Sequence, residues 1–171
     1  QSSLGLSMAM KGDAKSISFV EDTAVAPERL RDYIERFLEI VRRHGSTTGV
    51  YAHASVGCLH VRPVVNLKTD AGVQQFEAIA NDIAELVLEF GGALSGEHGD
   101  GLVRGPFIER MFGSPLYEAF RTIKRTFDPA GLFNPGKIVD SPPLTDNLRY
   151  GAAYRTPEPT TFFDYHEHGG L

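Results

Sequence analysis

Residues 48–67 read "TGVYAHASVGCLHVRPVVNL". Two short strand-like runs flank Ser55, Val56 and Gly57, and that arrangement predicts a β-hairpin. If Val56 and Gly57 form a two-residue loop, His53 and His60 are directly opposed across the strands, with Cβ atoms about 5 Å apart. On one straight strand the same spacing would hold them roughly 23 Å apart on opposite faces. The hairpin therefore brings both imidazoles within reach of one metal ion. A pair of partly buried strand histidines is the alternative reading of this spacing.

Working outward, "SISFVED" (16–22) reads as a strand, and Pro27 opens the next element. In "PERLRDYIERFLEIVRRHG" (27–45) Leu30, Tyr33, Ile34, Phe37, Leu38 and Val41 form one stripe of an amphipathic helix. Arg42, Arg43 and His44 suit its negative end, and Gly45 supplies a left-handed cap. A second helix is expected over about 71–90, with Asp70 as N-cap and Gly91–Gly92 as stop. "ALS" (93–95) then reads as a fourth strand.

The order strand, helix, strand, strand, helix, strand is the ferredoxin-like βαββαβ pattern, an α+β fold. It predicts an antiparallel four-stranded sheet with both helices on one face. "GPFIERMFG" (105–113) and "SPLYEAFRTIKRTFDPAG" (114–131) predict two further helices. Residues 1–140 are thus expected to form one domain. Residues 141–171 read as a loosely packed linker or tail, in which His166 and His168 are expected to be solvated.

The first and third strands are central in this topology, so the end of the fourth strand lies at an edge of the sheet that holds the hairpin. That places "GALSGEHGDG" (92–101), with Glu97, His98 and Asp100, where it can approach His53 and His60. Two neutral imidazoles and one carboxylate suit a zinc-like divalent ion with an open coordination position. The remaining imidazole would be free to move protons. Glycines at 96, 99 and 101 let the backbone crowd against a ligand. A flexible polar turn is the alternative, and Asp100 reads as a loop residue. The stretch lacks dinucleotide spacing and a Walker-type lysine, which excludes a phosphate loop. Cys58 reads as a small strand residue, with thiol chemistry beside His60 as the lesser option.

Composition narrows the classes. With 17 basic residues, 22 acidic ones and a net charge of -5, the chain carries no footprint for nucleic acid or an anionic membrane. No apolar run approaches the roughly 20 residues that span a bilayer. One cysteine in 171 residues excludes an intrachain disulfide and a cysteine-rich zinc module, and a cytoplasmic setting is expected. The ends, "QSSLGL" and "HEHGGL", read as those of a piece of something longer.

"HASVGCLH" (53–60), "GGALSGEHGDGLVR" (91–104) and "FDPAGLFNPGKI" (127–138), in this order, resemble the C-terminal cap domain of FAD-linked oxidases. That family includes D-lactate dehydrogenases, D-2-hydroxyglutarate dehydrogenases and the D subunit of glycolate oxidase. The resemblance implies a ferredoxin-like α+β cap, a divalent metal on His53, His60 and Glu97, and His98 as general base. It implies oxidation of a small-molecule D-2-hydroxy acid by hydride transfer to FAD. Asn134 matches a position near the flavin, and Arg104 is a candidate for the substrate carboxylate. Ser55, Val56 and Cys58 stand where the family pattern has Gly, Asp and Asn.

"FVEDTAV" and "NLRYGAAYRTPEPTTFFDY" further resemble a bacterial subgroup that joins this cap to an FAD-binding domain and an iron-sulfur module. The partners implied are that FAD-binding domain and an electron acceptor, through which membrane association could arise. Alone, the chain is expected to be inactive. Two other classes fit the residues, a self-contained metal-dependent hydrolase and a non-catalytic ferredoxin-like interaction module.

Overall fold

The computed structural model describes residues 9–155, 160–165 and 167. His166, His168 and the remaining positions of the C-terminal stretch lie outside them. The described chain is α+β. Strands β1 (Lys15–Ser16), β2 (Thr23–Ala24), β3 (Thr48–His53) and β4 (Cys58–Val65) form one antiparallel sheet. Helices α1 (Leu30–Arg43), α2 (Asp70–Glu89), α3 (Ile108–Phe112) and α4 (Ser114–Phe127) complete the framework.

β4 is the centre of the sheet. Its outer edge pairs with β3, and its inner edge pairs in succession with β1 and β2. Ala24 is bridged in turn to Ala93, so the expected fourth strand is reduced to one antiparallel bridge beside the first. The relative order of strands is that of the expected pattern.

Alternation along β4 separates core from site. Leu59, Val61 and Val65 join Tyr33 and Phe37 of α1 and Ile79 and Ile83 of α2 in the buried core. Successive strand residues point to opposite faces, so Cys58, His60 and Arg62 lie on the other face. The helical pattern holds closely. Gly45, at φ +69°, ends α1 by donating to the Arg42 carbonyl while Ser46 donates to Val41, a Schellman closure. α2 starts one residue earlier than expected: Thr69, not Asp70, is the N-cap, its side chain accepting from the Gly72 amide.

Two strand expectations change. The run 16–22 is not one strand: Lys15↔Val65 and Thr23↔Leu59 leave residues 17–22 facing only 60–63. The surplus forms a bulge that sends Phe19 and Val20 into the core and leaves Glu21 and Asp22 as its polar end. In the hairpin, Ala54–Val56 form a 3-10 turn closed by Gly57 at φ +69°, and His53 pairs with Cys58 rather than His60. This shift of two residues preserves the face on which each side chain stands.

Some of the described residues after 140 reach back to the domain. Leu144 and Leu148 pack against the core, and the Lys68 ammonium lies 5.2 Å from the Tyr154 ring.

Candidate active site

Parity keeps the two hairpin histidines together. Tyr51 and His60 are paired and their rings stack with centroids 4.6 Å apart, while the His53 and His60 rings meet edge to face at 5.1 Å. The His98 ring lies 5.3 Å from His60. His60 is buried, its side chain only 1% exposed, whereas the side chains of His53, Glu97 and His98 are 52%, 47% and 44% exposed. The cluster thus has a dry inner wall and an open outer side.

Glu97 is the hub. Its Oε1 stands 3.3 Å from His53 Nε2, 3.2 Å from His60 Nε2 and 3.4 Å from His98 Nε2. None of these contacts has the alignment of a hydrogen bond. Ligands of one tetrahedral zinc-like ion, with bonds of 2.0–2.1 Å, sit about 3.3 Å from each other. Glu97 Oε1 stands at that spacing from His53 Nε2 and from His60 Nε2, so these three side chains could hold such an ion, although His53 belongs to neither group of donors whose atoms all lie within 4.8 Å of one another.

Asp22 holds the Glu97 loop in place. It is fully buried, with a backbone φ of +76°, a conformation that costs a residue with a Cβ about 1–2 kcal/mol. Its carboxylate accepts from Ser95 Oγ at 2.6 Å, from the His98 amide at 2.9 Å and from the Glu97 amide at 3.1 Å. Burial pushes its carboxyl up, but the hydrogen bonds from Ser95, the His98 and Glu97 amides and Cys58 outweigh burial and hold it below the usual range. The Cys58 thiol, 3.5 Å from Asp22, is pushed up to about 11 by burial and by that carboxylate. It is a protonated donor to Asp22 and no thiolate nucleophile. A Cβ at Gly96 would stand 3.0 Å from the Cys58 sulfur, so a larger residue there would press on the thiol.

Glu21 flanks the other side of the imidazoles. Its Oε1 is 3.3 Å from His98 Nδ1, and its Oε2 is 3.7 Å from His60 Nδ1 and 2.8 Å from an Arg62 guanidinium nitrogen. Two groups of potential ligand atoms therefore overlap, one of Asp22, Cys58, His60 and Glu97 and one of Glu21, His60 and His98. The oxygens of Asp22 are engaged by amides and Ser95, and Arg62 already brings a cation to Glu21. Neither carboxylate is left as free for an ion as Glu97.

The other expected residues lie outside this convergence. Arg104 is buried and donates to the carbonyls of Gly99 at 2.9 Å and Glu21 at 2.5 Å, which ties the loop to the bulge. Asn134, exposed in a turn at φ +47°, makes no hydrogen bond or ring contact with the cluster among the described residues. Asp100 does not touch the histidines; burial raises its carboxyl, partly opposed by Arg104. A cleft of about 230 Å³ between α1 and α2 holds none of these groups; it is lined by the Arg36–Glu89 and Arg43–Asp82 pairs and by Glu39 and Glu85. Sequence reasoning missed Glu21 and Asp22, although two adjacent acidic residues ending an apolar strand were a usable signal.

The chain is a small α+β domain whose hairpin and last loop gather three imidazoles around one carboxylate. The family described as "FAD linked oxidases, C-terminal domain" matches residues 3–138, and the chain belongs to that family. It is 44% identical over 145 residues to a D-2-hydroxyglutarate dehydrogenase of Haemophilus influenzae, covering 85% of this chain and 14% of that protein. A D-2-hydroxyglutarate dehydrogenase of Escherichia coli is 40% identical over 135 residues, 79% of this chain and 13% of that protein. A D-lactate dehydrogenase of Archaeoglobus fulgidus is 33% identical over 132 residues, 77% of this chain and 29% of that protein. The chain thus spans less than a third of the length of these relatives.

Proposed function

We propose that this chain is the substrate-side domain of a longer FAD-dependent dehydrogenase of D-2-hydroxy acids, of the 2-hydroxyglutarate, lactate or glycolate type. The observation that carries the reading is the convergence of three imidazole Nε2 atoms on Glu97 Oε1. His53, His60 and Glu97 would hold a divalent, zinc-like cation. When bound, that cation supplies positive charge that lowers the pKa of the substrate hydroxyl, and FAD supplies the acceptor for the hydride leaving C2. His98 takes the hydroxyl proton on its imidazole, so that loss of proton and hydride leaves a 2-oxo acid. His60 and the walls formed by Tyr51 and Cys58 keep water from the inner side. Arg104 supports the loop and is a weaker candidate for the substrate carboxylate, and Asn134 is a candidate flavin neighbour once the flavin-binding portion is in place.

The exposed outer side of the cluster disfavours a self-contained hydrolase, which needs a closed pocket. It suits a domain whose site is completed by another part of the same longer protein, and the chain alone should not turn over. The 14% coverage of the Haemophilus protein leaves room there for a flavin-binding portion and an iron-sulfur module. Among the described residues no helix is long and apolar enough to cross a membrane. A cytoplasmic enzyme that meets a membrane only through its electron acceptor fits the reading.

The test is anaerobic flavin bleaching by D-2-hydroxyglutarate, D-lactate and glycolate in the longer protein. His98→Gln should slow bleaching by about 10²–10⁴-fold, the usual contribution of a general base, with bound metal unchanged. Bleaching at the wild-type rate in His98→Gln would refute its role. No bleaching of the wild type by any 2-hydroxy acid would refute the substrate class.

A further inference from the structure

We infer that Glu21 is the positioning residue for two imidazoles at once, fixing the rings of His60 and His98 so that both present Nε2 to the point shared with Glu97. This rests on the reading that His53, His60 and Glu97 hold a metal, and it goes beyond it by assigning the opposite edge of the rings.

Each of the two rings stands between two carboxylates. Glu97 Oε1 lies on the Nε2 side, 3.2 Å from His60 and 3.4 Å from His98. Glu21 lies on the Nδ1 side, 3.3 Å from His98 and 3.7 Å from His60. A neutral imidazole carries one proton and one lone pair, so the two edges must play different parts. His60 Nδ1 is buried with no hydrogen-bond partner, and Glu21 is the acceptor it faces. Arg62 decides which edge takes the proton. Its Nε donates to Glu21 Oε2 at 2.9 Å, with a second guanidinium nitrogen at 2.8 Å. A second cation beside that guanidinium would be repelled, whereas an N–H facing the carboxylate is attracted. The pull of Glu21 places the N–H on the Nδ1 edges, against the weaker pull of the Cys58 sulfur 3.9 Å from His60 Nε2, and leaves the Nε2 lone pairs for a ligand or a substrate proton. Carboxylates of this kind, set behind metal-binding histidines, fix tautomer and ring orientation.

Glu21 can do this because of the bulge. The extra residues in 17–22 turn its side chain onto the face of β4 that carries His60 and Arg62, and Arg104 pins its carbonyl. The site thus has a rear wall drawn from the first strand as well as a front drawn from the hairpin and last loop.

The test uses Cu²⁺ as a probe in the longer protein freed of its own metal. Competition with a chelator gives the affinity, and electron spin-echo envelope modulation reads the remote, unliganded nitrogen of each bound imidazole. Glu21→Gln should weaken Cu²⁺ by about 10–100-fold and change the remote-nitrogen quadrupole signature, with Glu21→Asp shifted the same way but less. Unchanged affinity and an unchanged remote-nitrogen signal in both variants would overturn the role of Glu21, even if Glu97→Gln abolishes binding. A wild-type protein without imidazole-coupled Cu²⁺ would overturn the metal reading and this inference together. If Glu21→Gln does not fold, Glu21→Asp alone decides by the same two readouts.

Discussion

A single buried carboxylate, Asp22, does more to shape the site than any residue that faces solvent. It accepts from one hydroxyl and two amides of the loop that carries Glu97 and His98, and it is fully buried. Asp22→Asn keeps the size but replaces one acceptor oxygen with a donor facing the donors already there. Buried polar groups left unsatisfied cost about 1–3 kcal/mol each. Urea unfolding should therefore show a loss of at least about 2 kcal/mol, together with weaker metal binding. A variant as stable as the wild type would mean that the loop does not depend on Asp22. The sequence made Glu97, His98 and the two hairpin histidines legible because their spacing follows from topology. It did not reveal what Asp22 and Glu21 touch, since their partners lie on other strands and loops.

At the scale of elements, the helices were legible and the strands less so. A 3.6-residue stripe repeats over several turns of α1 and α2, whereas the strands have little room for a repeat to declare itself. The hairpin register slipped by two without moving any side chain to the other face, so the histidines still met. The bulge over 17–22 could not be read, because it is stabilised by Phe19 and Val20 packing inward and Asp22 bonding to a distant loop.

The end of α4 gives a prediction of its own. Asp128 accepts from Lys124 and from the amides of Leu132 and Phe133, and those partners, Lys124 foremost, lower its carboxyl to about 2. A folded-state value below the unfolded one stabilises the protein above the unfolded value of 3.8 and is lost as pH falls toward about 2. Melting curves of wild type and Asp128→Asn should differ near neutral pH and converge as the pH drops through that window. A difference that stays constant down to pH about 2 would exclude this carboxylate as the cause.

For the whole molecule, the apolar surface is distributed unevenly. Leu116, Ile123 and Phe127 on α4, and Leu132 and Phe133 just after it, are well exposed. Val50 and Tyr51 on β3 are exposed too, but the larger group of exposed apolar side chains lies on and just after α4. We expect the flavin-binding portion of the longer protein to cover it, since contiguous exposed apolar surface of this kind marks an interface. Amides of 114–127 should then exchange with solvent more slowly in the longer protein than in this 171-residue chain. Equal exchange in the two would leave that face without such a partner.

The Asp22 bonds also set a timetable. They close loops of 75 and 76 residues, reaching from the first strand to the last loop. Contacts so distant along the chain form late, after the loop entropy has been met by the hairpin and helices. The donor cluster therefore comes into being only as folding completes, and an ion added to unfolded chains has no assembled site to nucleate around. On the proposed reading, metal binding would be a certificate of the finished fold rather than a guide to it.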